Sequence, residues 1–334
     1  MDSLTHIVLG ASLGELIAGK KLGKKAMLIG ALADTIPDFD VFANPFVPPV
    51  DALLIHRGIT HSVLFAVLAP FVFAWLFQLL FKKREVDYIT WYLLFFVGFA
   101  SHIFIDSLTA YGTALFEPFD NHRISLHTIF VADLLYTLPL LVCAIALLVV
   151  KNKRVVWATS GIAISTIYIF SCMFNKMEAT NQFQIGLKAQ NISYNRLIAT
   201  PTPLNNVLWT AIAQTDSGAW TAYYSKFDDQ APKEFCYLPQ NKHLLDSVED
   251  VTTIEKLKLF SDDFYCVTTK DGKLKYVDLR FGQVGGWHNC NAPFAFEYTL
   301  TRGADNKMIL EKGRWNSSSL KDELNKLWLR IKGK

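Results

Sequence analysis

Histidine and aspartate are the residues of this 334-residue chain whose spacing could do chemistry. Six of the eight histidines (His6, His56, His61, His102, His122, His127) lie in the first 127 residues, interleaved with Asp34, Asp38, Asp40, Asp106 and Asp133. His102 and Asp106 are four apart, so on a helix they share one face. Neutral imidazoles together with carboxylates suit a borderline divalent ion, and a mixed nitrogen and oxygen set with an open position is the arrangement that activates water. Zinc is the first expectation, with manganese or magnesium behind it. The expected ligands are His6, Asp34, His61, His102 and Asp106. Asp38 and His56 are candidates for general acid or base, and Arg57 and Arg123 for holding a phosphate oxygen. Water activated by such an ion would attack an ester or phosphodiester.

Each piece also has a plainer reading. A single His6 fits an interfacial polar residue, as do His122 and His127. His102 with Asp106 equally fits a helix-to-helix hydrogen bond. Asp34 before Ile36-Pro37 fits a helix end, Asp38 and Asp40 fit turn residues, and Thr60-His61-Ser62 fits an N-cap. What favours the joint reading is that independent segments deliver these residues to one side.

That side follows from the apolar segments and the charges between them. A helical span needs about 20 apolar residues, and 62–81, 89–110, 129–150 and 155–174 approach or reach that length. The shorter pieces 5–19 and 25–36 read as a helical hairpin packed within the bundle. The basic runs Lys20-Lys21-Leu22-Gly23-Lys24-Lys25, Lys82-Lys83-Arg84 and Lys151-Asn152-Lys153-Arg154 fall in short loops, which the positive-inside rule assigns to the cytoplasm. The N-terminus, the loops 37–61 and 111–128 and everything after 175 then lie outside, in the periplasm of a bacterial inner membrane. An aspartate near the middle of a span costs about 2.5–3.5 kcal/mol on insertion scales, so His102 and Asp106 need partners inside the bundle.

The fold class expected is an α-helical polytopic membrane bundle of about six helices, two of them short, over 1–176. A mainly β (α+β) extracytoplasmic soluble domain over 177–334 follows. In that domain Lys270-Asp271-Gly272 between two β-rich runs signals a hairpin. Trp220 to Phe227 and Phe294 to Thr301 also read as strands. Ser319 is placed to cap a C-terminal amphipathic helix bearing Leu320, Leu324, Leu327, Trp328 and Ile331. The net charge of +3 argues against nucleic acid as a partner. The five cysteines show no C-x-x-C spacing, which argues against a cysteine zinc site. Cys143 and Cys172 read as packing residues. One disulfide among Cys236, Cys266 and Cys290 is expected if the domain is extracytoplasmic, with the pairing open. The absence of a basic stretch before the first apolar run argues against a cleaved signal peptide.

The ordered set Met1-Asp2-Ser3-Leu4-Thr5-His6, Ala33-Asp34 with Pro37-Asp38-Phe39-Asp40, His56-Arg57-Gly58-Ile59-Thr60-His61-Ser62, and His102 through Asp106 to Thr113 resembles the bacterial inner-membrane YdjM/YbcI-like group of metal-dependent hydrolases. Pro118-Phe119, Arg123 and Asp133 resemble the group's later motif. The resemblance covers about 1–175 and implies a polytopic membrane protein with a metal site. Together these readings give a membrane-bound metal-dependent hydrolase acting on a lipid or lipid-linked ester or phosphodiester. Membrane lipids are its expected partners, and the partner of the C-terminal domain is left open. The alternatives are a metal- or ion-handling transporter and a non-enzymatic scaffold stabilised by metal.

Overall fold

Asp2 starts the first helix, its carboxylate accepting the backbone N–H of Thr5 at 3.1 Å. Helix α1 (Ser3–Leu22) turns at Gly23, whose φ of +58° suits glycine, into α2 (Lys25–Thr35). This computed structural model describes residues 1–81, 86–303, 308–313 and 320–334; Lys82-Lys83-Arg84 and the expected cap Ser319 lie outside them. The α1–α2 hairpin packs backbone on backbone. A Cβ added to Gly14 would sit 2.2 Å from the carbonyl oxygen of Ala26, and one added to Gly30 would sit 2.2 Å from that of Gly10. Small residues at such spacing let helices approach closely in a membrane.

A 3-10 helix (Ile36–Phe46) and the short α3 (Pro49–Ile55) follow, and then a 3-10 turn (Ile59–His61). Ser62 caps α4 (Val63–Leu80) by accepting from the N–H of Phe65, which is the cap that Thr60-His61-Ser62 foretold. Helix α5 (Tyr88–Ser107) packs on α4 through Phe65, Phe73, Phe77, Trp91, Phe95 and Phe99. Asp133 caps α6 (Leu134–Val149), and α7 spans Arg154–Ala189. Among the described residues α4, α5 and α7 are long and apolar enough to cross a membrane, and α6 is a shorter apolar helix. Helix α7 runs on past the change in composition near 177, because no proline or glycine interrupts it between Gly161 and Gly186.

Two four-stranded antiparallel sheets make up the C-terminal region. The first holds β1 (Arg196–Pro201), β2 (Leu208–Gln214), β3 (Gly218–Ser225) and β4 (Cys236–Pro239) in sequence order. After α8 (Val251–Ser261) the second holds β5 (Tyr265–Lys270), β6 (Lys273–Asp278), β7 (Glu297–Arg302) and β8 (Met308–Lys312). The expected hairpin is β5–β6. Asp271 and Gly272 sit at its tip with φ of +53° and +70°, matching the twist of the flanking strands. Ile212 and Ala219 of the first sheet meet Cys266 and Val277 of the second, and Phe264 just before it, in one buried cluster. The closing helix α9 (Leu320–Ile331) buries Leu327 and Ile331 on Leu208. Cys236 and Cys290 form the disulfide, while Cys143, Cys172 and Cys266 are free and buried.

By contact density the chain divides into Met1–Phe46 with Ile55–Cys172, and Val47–Leu54 with Met173–Lys334. The second unit thus includes a piece of the early loop, as well as the C-terminal region. Val50 is buried in its core with Leu257, Val267 and Tyr276, and Asp51 pairs with Lys256. No residue of 47–54 marks this excursion in the sequence, since its few apolar side chains resemble any loop.

Candidate metal centre

The helical unit gathers the candidate histidines and aspartates at one end, through the start of α1, the end of α2 and the end of α5. Asp106 and His102 sit one turn apart on the last two turns of α5. Pro37, which lacks the N–H that would continue α2, lies where the chain tightens into the 3-10 helix that carries Asp38 and Asp40. Arg57 adopts φ of +64°, a left-handed conformation that costs a non-glycine residue on the order of 1 kcal/mol or more. The strain is held by the Arg57 N–H donating to Asp40 at 2.9 Å and its carbonyl accepting from Ala114 at 3.0 Å. This kink turns His61 inward.

Asp38, His61, His102 and Asp106 each offer one ligand atom to a common point. Nε2 of His61 and Nε2 of His102 are 3.0 Å apart. Oδ1 of Asp38 lies 3.4 Å from each of them, and Oδ2 of Asp106 lies 3.5 Å from His61 and 3.6 Å from His102. Ligands at 2.0–2.1 Å from a tetrahedral zinc ion are about 3.3–3.4 Å from one another. Five of the six distances among the donor atoms thus lie near the spacing of a tetrahedral ligand set, and all lie within 4.8 Å of one another. A second group, His6, Asp34 and His102, shares His102 with the first.

The hydrogen bonds behind these atoms decide which nitrogen faces inward. Nδ1 of His102 donates to the backbone carbonyl of Asp34 at 2.5 Å, which leaves the Nε2 lone pair toward the centre. Nδ1 of His61 lies 3.0 Å from the Thr60 hydroxyl and 3.4 Å from Asp40. With His61 also protonated on Nδ1, two imidazole lone pairs and two carboxylate oxygens face one another, an acceptor set that a divalent ion would satisfy and that the Arg57 guanidinium meets at Asp106. His6 bridges Asp34 (3.0 Å) and the other oxygen of Asp106 (3.3 Å), and its ring stacks on His102 at 3.8 Å. That oxygen of Asp106 also meets the α-amino group of Met1. Asp34 in addition accepts from Ser101 at 2.7 Å. His6, Asp34, His61, His102 and Asp106 are wholly buried, whereas the Asp38 side chain keeps 19% exposure. Access to the group therefore passes Asp38.

The remaining candidates surround this core. Nε of Arg57 lies 3.0 Å from Oδ2 of Asp106, and its guanidinium sits over the Tyr111 ring. Burial lowers the Arg57 pKa to about 10, which leaves it charged at neutral pH. Arg123 lies over the same ring and donates to the His56 carbonyl at 2.7 Å. His56 donates to Asp40 at 2.9 Å. Burial alone would raise the Asp38 pKa, but when protons rather than an ion occupy Nε2 of His102 and His61, those imidazoles outweigh it and hold the carboxyl well below the usual carboxylate range. The same balance, with His56 and His61, holds Asp40 low. Asp133, His122 and His127 belong to neither donor group; Asp133 caps α6 and accepts from the Tyr168 hydroxyl at 2.9 Å. The sequence placed Asp40 in the cluster but assigned no role at the site to Asp40, Thr60, Ser101 or Tyr111. Only the turn at Arg57 brings the first two together, although the Asp38-Phe39-Asp40 pair was a visible signal.

The fold and site together define a class: a polytopic helical membrane protein with a buried histidine–aspartate group that could hold a metal ion. Residues 1–179 match the family model of the YdjM inner membrane protein, and the chain belongs to that family. It is also similar to inner membrane protein YbcI of Escherichia coli (strain K12), with 27% identity over 109 residues. That stretch is 33% of this chain and spans 61% of the length of YbcI. No solved structure matches the chain.

Proposed function

We propose that this protein is a membrane-bound, metal-dependent hydrolase of an ester or phosphodiester in a lipid or lipid-linked substrate. The observation that carries the reading is the convergence of one donor atom each from Asp38, His61, His102 and Asp106 within 4.8 Å of one another. These four residues would hold one ion, zinc by preference because nitrogen and oxygen donors at this spacing suit it. A single ion is favoured because His102 has already committed Nδ1 to Asp34 and has one lone pair to give. His6 and Asp34 then brace the ligands. When bound, the ion would supply a Lewis acid and lower the pKa of water toward neutrality.

The chain's own groups supply the rest. Asp38, the exposed member of the four, stands where substrate enters. His56 is partly exposed, at 26% of its side chain, and its Asp40 partner orients it to hand a proton to a leaving group. Arg57 and Arg123, buried and stacked on Tyr111, place two positive charges close to the group, which would favour a phosphate there. Toward the other end of α1, Glu15 is paired with Arg154 in a two-pronged ion pair at 2.7 and 2.5 Å, so that carboxylate is not left open to a transported ion. The Cys236–Cys290 disulfide and the charge pattern of the short loops favour a periplasmic C-terminal region in a bacterial inner membrane.

Metal analysis of the purified protein, with His61→Ala and His102→Ala beside it, tests the reading. About one divalent ion per chain is expected in the wild type, with each variant losing most of it. A wild type that holds no ion after purification without chelator, and takes up none when zinc or manganese is added, would favour the scaffold instead.

A further inference from the structure

Asp40 is a carboxylate with four donors around it and nearly no contact with water, its side chain being 3% exposed. Its Oδ1 accepts from Nδ1 of His56 at 2.9 Å. Its Oδ2 accepts from the backbone N–H of Arg57 at 2.9 Å and from the Thr60 hydroxyl at 3.0 Å, and lies 3.4 Å from Nδ1 of His61. A hydroxyl has one proton. If Thr60 gives its proton to Asp40, the Thr60 oxygen can only accept from its other neighbour, Nδ1 of His61, at 3.0 Å. His61 must then carry its proton on Nδ1 and present a lone pair at Nε2, the atom that faces His102, Asp38 and Asp106.

We propose that Asp40 is the positioning residue of the centre, fixing through the Thr60 hydroxyl which nitrogen of His61 faces the ion, and through its other bonds the place of His56 and Arg57. The proposal rests on the metal reading above and deepens it. Asp40 touches neither ion nor substrate. It also ties residue 40 to residues 56–60 across a segment whose middle, Val47–Leu54, belongs to the other compact unit. Without that tie the backbone of the His56–His61 turn would still meet Ala114 and Arg123, but not the segment that carries Asp38. A neutral amide in its place would turn an NH2 group toward donors that need an acceptor, leaving at least one buried donor unsatisfied.

Full-length protein in detergent, stripped of metal and titrated with cobalt(II) as a spectroscopic probe, provides the test in Asp40→Asn, Thr60→Val and Thr60→Ser. Asp40→Asn and Thr60→Val are expected to bind cobalt about 10- to 100-fold more weakly than wild type, the usual size of an outer-ligand effect. Thr60→Ser, which keeps the hydroxyl, restores the affinity. Thr60→Val carries the test where Asp40→Asn fails to fold, because valine matches threonine in shape. Wild-type affinity in folded Asp40→Asn or in Thr60→Val would overturn the proposal while leaving the metal reading intact. So would equal weakening by Thr60→Val and Thr60→Ser, which marks a packing effect. A wild type that binds no cobalt removes the metal reading and this proposal together.

Discussion

Asp106 works on two sides at once. One oxygen faces His61, His102 and Arg57, and the other faces His6. A carboxylate shared in this way fixes two imidazoles relative to each other, and its burial at the end of α5 makes the arrangement rigid. Ion binding at such a centre competes with protons, because imidazole ligands must be neutral. For imidazole in general that competition begins as pH falls through about 6.5. Asp38 and Asp40 behave differently. Their carboxyls are held below the usual range, so what they contribute to stability is complete above about pH 4 and is lost only on further acidification. Bound zinc should therefore leave only below about pH 6.5, and before the helical content by circular dichroism is lost. Coincident loss of metal and helix would contradict this order.

At the scale of elements, the α1–α2 hairpin does most to shape the site. Gly10 lies so close to α2 that an added Cβ would meet Cβ of Asp34 at 2.5 Å, and one added to Gly98 on α5 would meet Cβ of Ala33 at 2.9 Å. The small residues thus set the distance between His6, Asp34 and His102. Gly30→Leu should push the two helices apart, since its Cβ already meets backbone atoms that cannot yield. Overpacking costs roughly 1–3 kcal/mol or more, and here it should lower the melting temperature and deplete bound metal together. Metal content equal to wild type in a folded Gly30→Leu protein would show that the hairpin does not set the site. Most of these elements were readable in the sequence, because apolar length and basic loops mark spans. The length of α7 was not, because composition changes at 177 while helix propensity does not.

For the whole molecule, the Cys236–Cys290 bridge joins β4 to the loop before β7 and closes a sequence separation of 54 residues. A cross-link over such a loop stabilises by about 2–4 kcal/mol, chiefly by restricting the unfolded chain. Cys236→Ser with Cys290→Ser should therefore make the C-terminal region markedly more sensitive to protease, with the helical unit unaffected. Equal protease resistance in the two proteins would show the bridge to be dispensable. Cells lacking periplasmic disulfide formation should reproduce the effect in the wild type if that region is periplasmic. Five cysteines without a motif could not name the pair, since pairing is a matter of which strand ends meet.

The sequence alone determined the helical bundle, the hairpin at its start, the β-rich region that follows and the set of histidines and aspartates to watch. Those follow from local physics: apolar length, charge in short loops, turn chemistry and four-residue spacing on a helix. The tertiary structure decided how that set divides. Asp38 joins His61, His102 and Asp106 around one point, His6 and Asp34 stand behind them, and Asp40 holds the turn that aims His61. It also placed Val47–Leu54 in the second unit. Both depend on contacts between segments tens to hundreds of residues apart, and no local pattern in a single sequence encodes which distant partner a side chain will meet.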